Sequence, residues 1–258
     1  MSIFKRILNF SRESVAKADK RQAPRHAVGQ AFPVKAVIGL VAHDADGRPI
    51  PNSKIQDWTG RLVNISAVGA SMQLHPAAVG HRGEPCTFRL SLDQSHLTIP
   101  GVVAQFRAYR DYALCGFALN FPDFATQKNY LQVVEPVAFG ATLAPREERK
   151  VKQDTPGLCR EEYAGHSSSL LTVWRETASR TLQGFDFRMN GYGVRWLAGM
   201  AELETYGQAH DHKAGKGGVH RLSEAQQEEV RWLFCLAVPN LAKSVPSDVR
   251  KFLAQVVA

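Results

Sequence analysis

The first half of the chain alternates short apolar runs with turn-forming residues. Six runs of strand length occur between positions 34 and 121, and Gly, Pro and Asp residues separate them. The runs cover residues 34–41, 58–65, 70–74, 86–92, 97–106 and 112–121. Short strands at even spacing are typical of a closed antiparallel barrel, because closure removes exposed strand edges. This half is therefore predicted to be mainly β.

A helix is predicted directly after the last of these strands. Asp123 is a suitable N-cap for a helix that begins at Phe124 and runs to about Val134. Pro136 is expected to end it, since proline has no N–H to donate within a helix.

Residues 1–19 form an N-terminal extension with a different pattern. Apolar side chains at Ile3, Phe4, Ile7 and Leu8 recur at near-helical spacing, so a short amphipathic helix is predicted. Packing on its own domain is the simplest role for it, and docking on a membrane or a partner is the alternative. Lys5 interrupts the apolar stretch, so a secretory signal is not expected.

The charged, proline-containing segment 141–157 is predicted to be a linker between domains at 20–140 and 158–258. Beyond it the pattern changes to α+β. Strands are predicted at 170–174, 185–189 and 192–197, with an Asn190-Gly191 hairpin turn between the last two.

Two helices are predicted near the C-terminus. Ser223 and Gln226 have the spacing of a capping box for a helix that runs to about Val238, and a second helix follows Pro246. The tryptophans of this half are interpreted as its core. They are Trp174, Trp196 and Trp232.

Composition narrows the possible functions. The 258-residue chain has a net charge of +8, which favours anionic partners. No apolar run approaches the ~20 residues of a membrane-spanning helix. The four cysteines lack a CxxC pair, which predicts buried, reduced thiols in a cytoplasmic protein. No metal site is predicted, and His210 and His212 are interpreted as part of a solvated loop.

A basic cluster precedes the predicted barrel. Arg21 and Arg25 flank Pro24, which disfavours a helix at Ala23, and Lys20 adds a third charge. Two guanidinium groups on an extended loop can converge on one anion. The planar donors of arginine match both a phosphate and the O6/N7 edge of guanine.

A small polar turn lies at the end of the second predicted strand. Asn64 can pair with the polar edge of a base, and the hydroxyl of Ser66 can donate or accept. Gly69 is expected to permit a positive φ and close backbone approach to a ligand. Alone, this pattern is a common turn.

Together, the RxxxR and NxSxxG patterns resemble the signature of the PilZ family of receptors for the bacterial second messenger cyclic di-GMP. Gly101-Val102-Val103 and Gly116-Phe117 agree with later family positions, and the resemblance covers about 115 residues. Two departures are a long interval between Arg25 and Asn64, and Gln105 where many relatives carry Trp or Arg.

The resemblance implies a six-stranded Greek-key barrel with a trailing helix. It also implies that Arg21 and Arg25 bind phosphate and guanine, and that Asn64, Ser66 and Gly69 contact the base from the other side. A basic residue at the position of Lys20 often accompanies binding of two stacked ligands in relatives. Cyclic di-GMP, as one or two molecules, is therefore the expected ligand, and no cofactor is expected.

The sequence hypothesis is a non-enzymatic cyclic di-GMP effector in which ligand capture changes contacts between domains or with an unidentified protein partner. Three alternatives remain. One is a PilZ-fold scaffold for protein–protein contact that binds no ligand. Another is nucleic-acid binding by the C-terminal half, which is not favoured because its aromatic residues are not interleaved with Lys and Arg. The third, an enzymatic C-terminal half, lacks a recognisable catalytic set.

Overall fold

The computed structural model describes residues 23–44, 46, 48–50, 55–93, 95–208 and 218–257. The chain divides into two units, Met1–Val134 and Glu135–Ala258. The helix predicted for residues 1–19, together with Lys20 and Arg21, lies outside the described residues.

The described part of the first unit has seven strands. They are β1 (His26–Ala27), β2 (Lys35–Leu40), β3 (Gln56–Ser66), β4 (Gly69–Leu74), β5 (Pro85–Leu92), β6 (Ser95–Ala108) and β7 (Ala113–Leu119). The strand order is β1-β3-β2-β5-β6-β7-β4, and an additional β3–β4 pairing closes the six longer strands into a barrel. Neighbouring strands are antiparallel. The predicted six-stranded antiparallel barrel is confirmed.

The barrel core follows from the two-residue period of the strands. In β5, Cys86, Phe88 and Leu90 are buried, and the residues between them are partly exposed. The ring of Phe88 lies 4.8 Å from that of Phe117 on β7, measured between centroids. Burial of a side chain of this size contributes about 1.5–3 kcal/mol. Alternation in the sequence thus produces one apolar inner face.

The four cysteines are all free thiols, but they differ in exposure. Cys86 and Cys115 are buried in the barrel, and burial raises the pKa of each thiol to about 12. The prediction of buried thiols is confirmed for these two. It is wrong for Cys159 and Cys235, which are partly exposed.

The helix after the barrel, α1 (Phe124–Ala141), begins where the sequence predicts. The backbone N–H of Thr126 donates to Oδ1 of Asp123 at 2.7 Å, which is the geometry of an N-cap. The Thr126 hydroxyl also donates to this carboxylate, and the two hydrogen bonds lower the pKa of the Asp123 carboxyl. The cap is confirmed.

The predicted end of this helix is wrong. Helix α1 continues through Pro136 to Ala141. A proline inside a helix costs about 3 kcal/mol, because one hydrogen bond is lost and the ring clashes with the preceding turn. Val137 and Phe139 are almost fully buried, and their burial, at about 1.5–3 kcal/mol each, offsets that cost.

The second unit contains a seven-stranded sheet and two further helices in its described residues. The strands are β8 (Ala144–Pro145), β9 (Leu158–Ala164), β10 (Leu170–Glu176), β11 (Leu182–Met189), β12 (Tyr192–Leu197), β13 (Glu204–Gln208) and β14 (Val219–Arg221). They pair antiparallel in chain order. The helices are α2 (Glu224–Ala237) and α3 (Ser247–Val257). The predicted α+β class is confirmed.

Several local predictions for this unit are also confirmed. Asn190 and Gly191 have φ values of 44° and 83°, as a two-residue hairpin turn between β11 and β12 requires. Ser223 and Gln226 form the predicted capping box at the start of α2. Of the described helices, none has both the length and the apolar character needed to cross a membrane.

The core of the second unit differs from the prediction. Phe185 on β11 stacks on Phe234 of α2 with ring centroids 5.6 Å apart, and Phe252 of α3 lies 6.1 Å from Phe185. The three tryptophans predicted as core are all partly exposed. Phenylalanine has no polar atom to satisfy, which suits it to the fully buried positions between sheet and helices.

The segment predicted as a linker, residues 141–157, belongs to the second unit. Ala144 and Pro145 pair with the end of β9, and Arg146 forms an ion pair with Glu162 at 2.7 Å. Charge and proline content indicated a linker, but two of its residues, Ala144 and Pro145, form a short edge strand against β9. Strands β9, β13 and β14 were also not predicted from the sequence.

Tyr130 tests how α1 is held on the barrel. Its side chain is fully buried, and its hydroxyl donates to the carbonyl oxygen of Gly69 at 3.1 Å. Replacing Tyr130 with Phe is expected to reduce the free energy of unfolding by about 0.5–1.5 kcal/mol. Urea denaturation measures this. Tyr109→Phe, at a residue 43% exposed, is the control and should change stability by less than about 0.5 kcal/mol. Equal stability of the Tyr130 variant and the parent would contradict the role of this hydrogen bond.

Candidate functional site

The NxSxxG segment forms the hairpin between β3 and β4. Ser66 pairs with Gly69 across a two-residue turn, and Asn64 pairs with Ser71 further along. The hydroxyl of Ser66 donates to the carbonyl oxygen of Gly69 at 3.1 Å, and both residues are buried. These two signature residues therefore hold the turn together from within.

Strand β1 brings the basic segment to this hairpin. His26 pairs with Ile65 and Ala27 pairs with Asn64, and the backbone N–H of Val28 donates to the carbonyl oxygen of Val63 at 3.0 Å. Arg25 immediately precedes the paired residues, and its side chain is exposed. The end of the RxxxR segment and the start of NxSxxG, about 40 positions apart in the chain, thus lie side by side.

A β-bulge in β3 determines which way Asn64 faces. The register against β4 shifts between Leu62 and Asn64, so Val63 is an extra residue. Leu62 and Ile65 both face the core, at 3% and 0% exposure, although three positions separate them. Since neighbours on a strand face opposite sides, Asn64 faces the outside of the barrel beside the fully buried Ile65.

Asn64 begins a row of residues across the outer surface of four strands. The row continues through Ser71 and Gly116 to Gln105, on β4, β7 and β6. The Oγ atom of Ser71 is buried and has no hydrogen-bond partner among the described residues. Gly116 contributes no side chain, so the middle of the row is shallow. We call these four residues the outer row.

Arginine side chains flank the outer row. Arg61 on β3 and Arg107 on β6 are exposed, and Nη2 of Arg61 donates to Oε1 of Gln73 at 2.8 Å. Gln73 pairs with Leu114, and Leu114 pairs with Arg107, so these residues form the adjacent row. This face of the barrel therefore combines the polar side chains of the outer row with the positive charges of the nearby arginines.

The structure changes the reason for a glycine at position 69. Gly69 is not among the residues with positive φ. Instead, a Cβ atom at Gly69 would overlap the carbonyl oxygen of Phe117 on β7, to which β4 is paired. The glycine at position 69 lets β4 and β7 approach each other closely. The prediction that Gly69 adopts a positive φ is wrong.

The predicted site residues therefore have different locations. Arg25 lies two residues before Ala27, the partner of Asn64 on β1, and Asn64 faces outward. Ser66 and Gly69 lie inside the hairpin, and Lys20 and Arg21 lie outside the described residues. Sequence reasoning missed Ser71, although strand alternation from Asn64 and Gly69 would have placed it on the same outer face.

The packing of Gly69 predicts a stability effect. Gly69→Ala is expected to lower the free energy of unfolding by about 1–3 kcal/mol, because the new methyl group overlaps backbone that cannot move freely. Gly116→Ala is the matched control, since a Cβ atom there would have its nearest neighbours at 3.9 Å. Thermal and urea denaturation compare the two variants. A Gly69 variant as stable as the Gly116 variant would contradict the close approach of β4 and β7.

No family model matches this sequence, and no curated protein matches it. Among solved structures, the chain is similar to the PilZ domain of CeSA from a cellulose-synthesizing bacterium, at 20% identity over 43% of this chain and 94% of that chain. The TM-score of that match is 0.29, so the superposition carries no weight for function. The closed six-stranded barrel rests on the strand pairing of the chain itself.

Proposed function

We propose that the first unit is a receptor for cyclic di-GMP. The observation that supports the proposal is the pairing of β1 with β3, in which Ala27, two residues after Arg25, lies opposite Asn64. We propose that the two sequence patterns, whose chemistry is complementary to a guanine-bearing dianion, form one binding face. Arg25 and Asn64 are its proposed ligand contacts among the described residues.

The chemistry of the two side chains suits this ligand. The guanidinium group of Arg25 offers parallel N–H donors to a phosphate or to the O6/N7 edge of guanine. The amide of Asn64 both donates and accepts, as pairing with a base edge requires. Arg61 and Arg107 add positive charge to the same face, which attracts an anion.

Ser66 and Gly69 have an indirect part in this proposal. Their mutual hydrogen bond and their burial keep the hairpin in the shape that presents Asn64. Lys20 and Arg21 complete the proposed set, with Arg21 as a second phosphate or guanine contact. We propose binding without catalysis, and an unidentified protein partner as the recipient of the signal.

Calorimetric titration of the full chain with cyclic di-GMP tests the contacts. Arg25→Ala is expected to weaken binding by about 30-fold or more, which corresponds to about 2 kcal/mol, the lower end for a charged pair that the ligand would bury. Arg25→Lys should restore only part of this loss, because lysine keeps the charge without the planar donors. Asn64→Ala should weaken binding by about 10-fold.

The matched control is Arg110→Ala, which removes an exposed arginine between β6 and β7. It should bind like the parent, and cyclic di-AMP, which lacks the guanine edge, should bind far more weakly. Normal binding by both Arg21→Ala and Arg25→Ala would refute the proposed contacts. Chromatography of the recovered ligand should find it chemically unchanged, whereas hydrolysis would refute binding without catalysis.

The same titration measures stoichiometry. The position of Lys20 before Arg21 supports two ligand molecules per chain, and Lys20→Ala is expected to reduce the ratio to one. A measured ratio of one molecule per chain in the parent protein would reject the two-ligand proposal. It would leave the proposed contact of Arg25 with the ligand as a separate question.

One observation favours a second candidate, a barrel scaffold for protein contact that binds no nucleotide. Ser66, Gly69 and Tyr130 form a buried hydrogen-bonded group that maintains the hairpin without any ligand. Selection for fold alone therefore explains part of the NxSxxG pattern. It does not explain the exposed arginine at position 25, two residues before the partner of Asn64, so receptor function is the better-supported proposal. Absence of heat and of thermal stabilisation with cyclic di-GMP would favour the scaffold.

A further inference from the structure

Three side chains with metal-binding atoms meet at one end of strand β5, away from the NxSxxG hairpin in sequence. One ligand atom each from His43, His81 and Glu84 lies within 4.8 Å of the other two. Among the described residues, these three form a cluster whose spacing could hold a metal ion. Nε2 of His43 lies 2.8 Å from Oε1 of Glu84. The two imidazole rings meet edge to face with centroids 4.8 Å apart.

The imidazole of His43 is buried, and only one of its two ring nitrogens faces Glu84. The side chain of His43 is only 2% exposed, and its Nδ1 atom has no hydrogen-bond partner among the described residues. A buried polar atom without a partner destabilises a protein by about 1–3 kcal/mol. Nε2 of His43 is the atom that contacts Glu84, and Nδ1 has no hydrogen-bond partner among the described residues.

The backbone holds these residues on a rigid frame. Strands β2 and β5 pair, with Leu40 opposite Cys86, so the connections that contain His43 and Glu84 are neighbours. The carbonyl oxygen of Glu84 accepts from the N–H of Val103 at 2.9 Å. These contacts place two of the three side chains before any ion binds.

Glu84 also organises the third side chain. Its Oε2 atom accepts from the backbone N–H of His81 at 2.8 Å, while its Oε1 atom contacts His43. His81 is exposed and Glu84 is partly buried, so the group opens to solvent on the side of His81. An ion can therefore reach the group from the side of the exposed imidazole.

We propose that His43, His81 and Glu84 form a binding site for a divalent transition-metal ion, with Zn²⁺ the ion that two imidazoles and one carboxylate suit best. Zinc binds such ligands at about 2.0–2.2 Å and takes four of them in a tetrahedron, so neighbouring ligand atoms are about 3.3 Å apart. Nε2 of His43 and Oε1 of Glu84 lie 2.8 Å apart, somewhat closer than this, so the ion would replace their hydrogen bond. Movement of His81 toward the ion would complete the three protein ligands, and water would take the fourth position.

The ion would connect two loops. His43 belongs to the connection from β2 to β3, and His81 and Glu84 belong to the connection from β4 to β5. Because a bound ion stabilises the folded state over the unfolded chain, it would clamp this end of the barrel. The site is independent of the outer row and of any nucleotide.

The test uses the full chain, stripped of metal with a chelator and dialysed against ZnCl₂. We expect one tightly bound Zn²⁺ per chain by elemental analysis and a zinc-dependent increase in the melting temperature. Co²⁺ in place of Zn²⁺ should give the visible absorption of a four-coordinate site. His81→Ala, at an exposed position, and Glu84→Gln should each weaken binding by at least about 10-fold and remove the Co²⁺ absorption.

Two controls make the result decisive. His96→Ala removes an exposed imidazole of the same unit and should bind zinc like the parent. The double variant His210→Ala/His212→Ala tests the two closely spaced histidines of the sequence at 210 and 212 and should also bind normally. The proposal is overturned if the parent binds no zinc above the His81 variant. It is equally overturned if the loop variant, and not His81→Ala, loses the ion.

Discussion

Strand β3 is the element on which the first unit depends, because it pairs with three other strands. Its first half bonds to β2, its second half to β4, and its last residues also to β1. The β3–β4 ladder closes the sheet, so each of the six long strands described in this unit has two neighbours and presents no free edge for intermolecular pairing. The β1 pairing attaches the basic segment to the same strand. One strand thus provides both closure and the proposed binding face.

The bulge at Val63 links these two tasks. Without an extra residue, Leu62 and Ile65 would face opposite sides, since strand side chains alternate. With it, both enter the core and Asn64 faces outward beside Ser71. The close approach of Gly69 to Phe117 and the hydrogen bond from Tyr130 then hold the hairpin. The signature residues therefore serve the fold first, and the proposed ligand contacts depend on that geometry.

The second unit has a different division between its two faces. Phe185 and its neighbours meet α2 and α3, whereas Thr172, Asp186 and Arg195 lie opposite one another on the other face of the sheet. Asp186 is almost fully buried and accepts hydrogen bonds from Tyr206 and Arg188. Burial of a carboxylate is tolerated there because charged and hydroxyl donors surround it. This paired polar layer identifies no ligand.

The barrel strands, the Asn190-Gly191 turn and the caps at Asp123 and Ser223 could all be predicted from local sequence. Each depends on local chemistry: alternation, a residue that accepts positive φ, or a side chain that bonds its own backbone. Long-range packing carries α1 past Pro136 and joins residues 144–145 to a sheet. It also sets Ala27 opposite Asn64 and His43 against Glu84. Those outcomes depend on which distant strands pair and how much apolar surface they bury, and no local pattern carries that information.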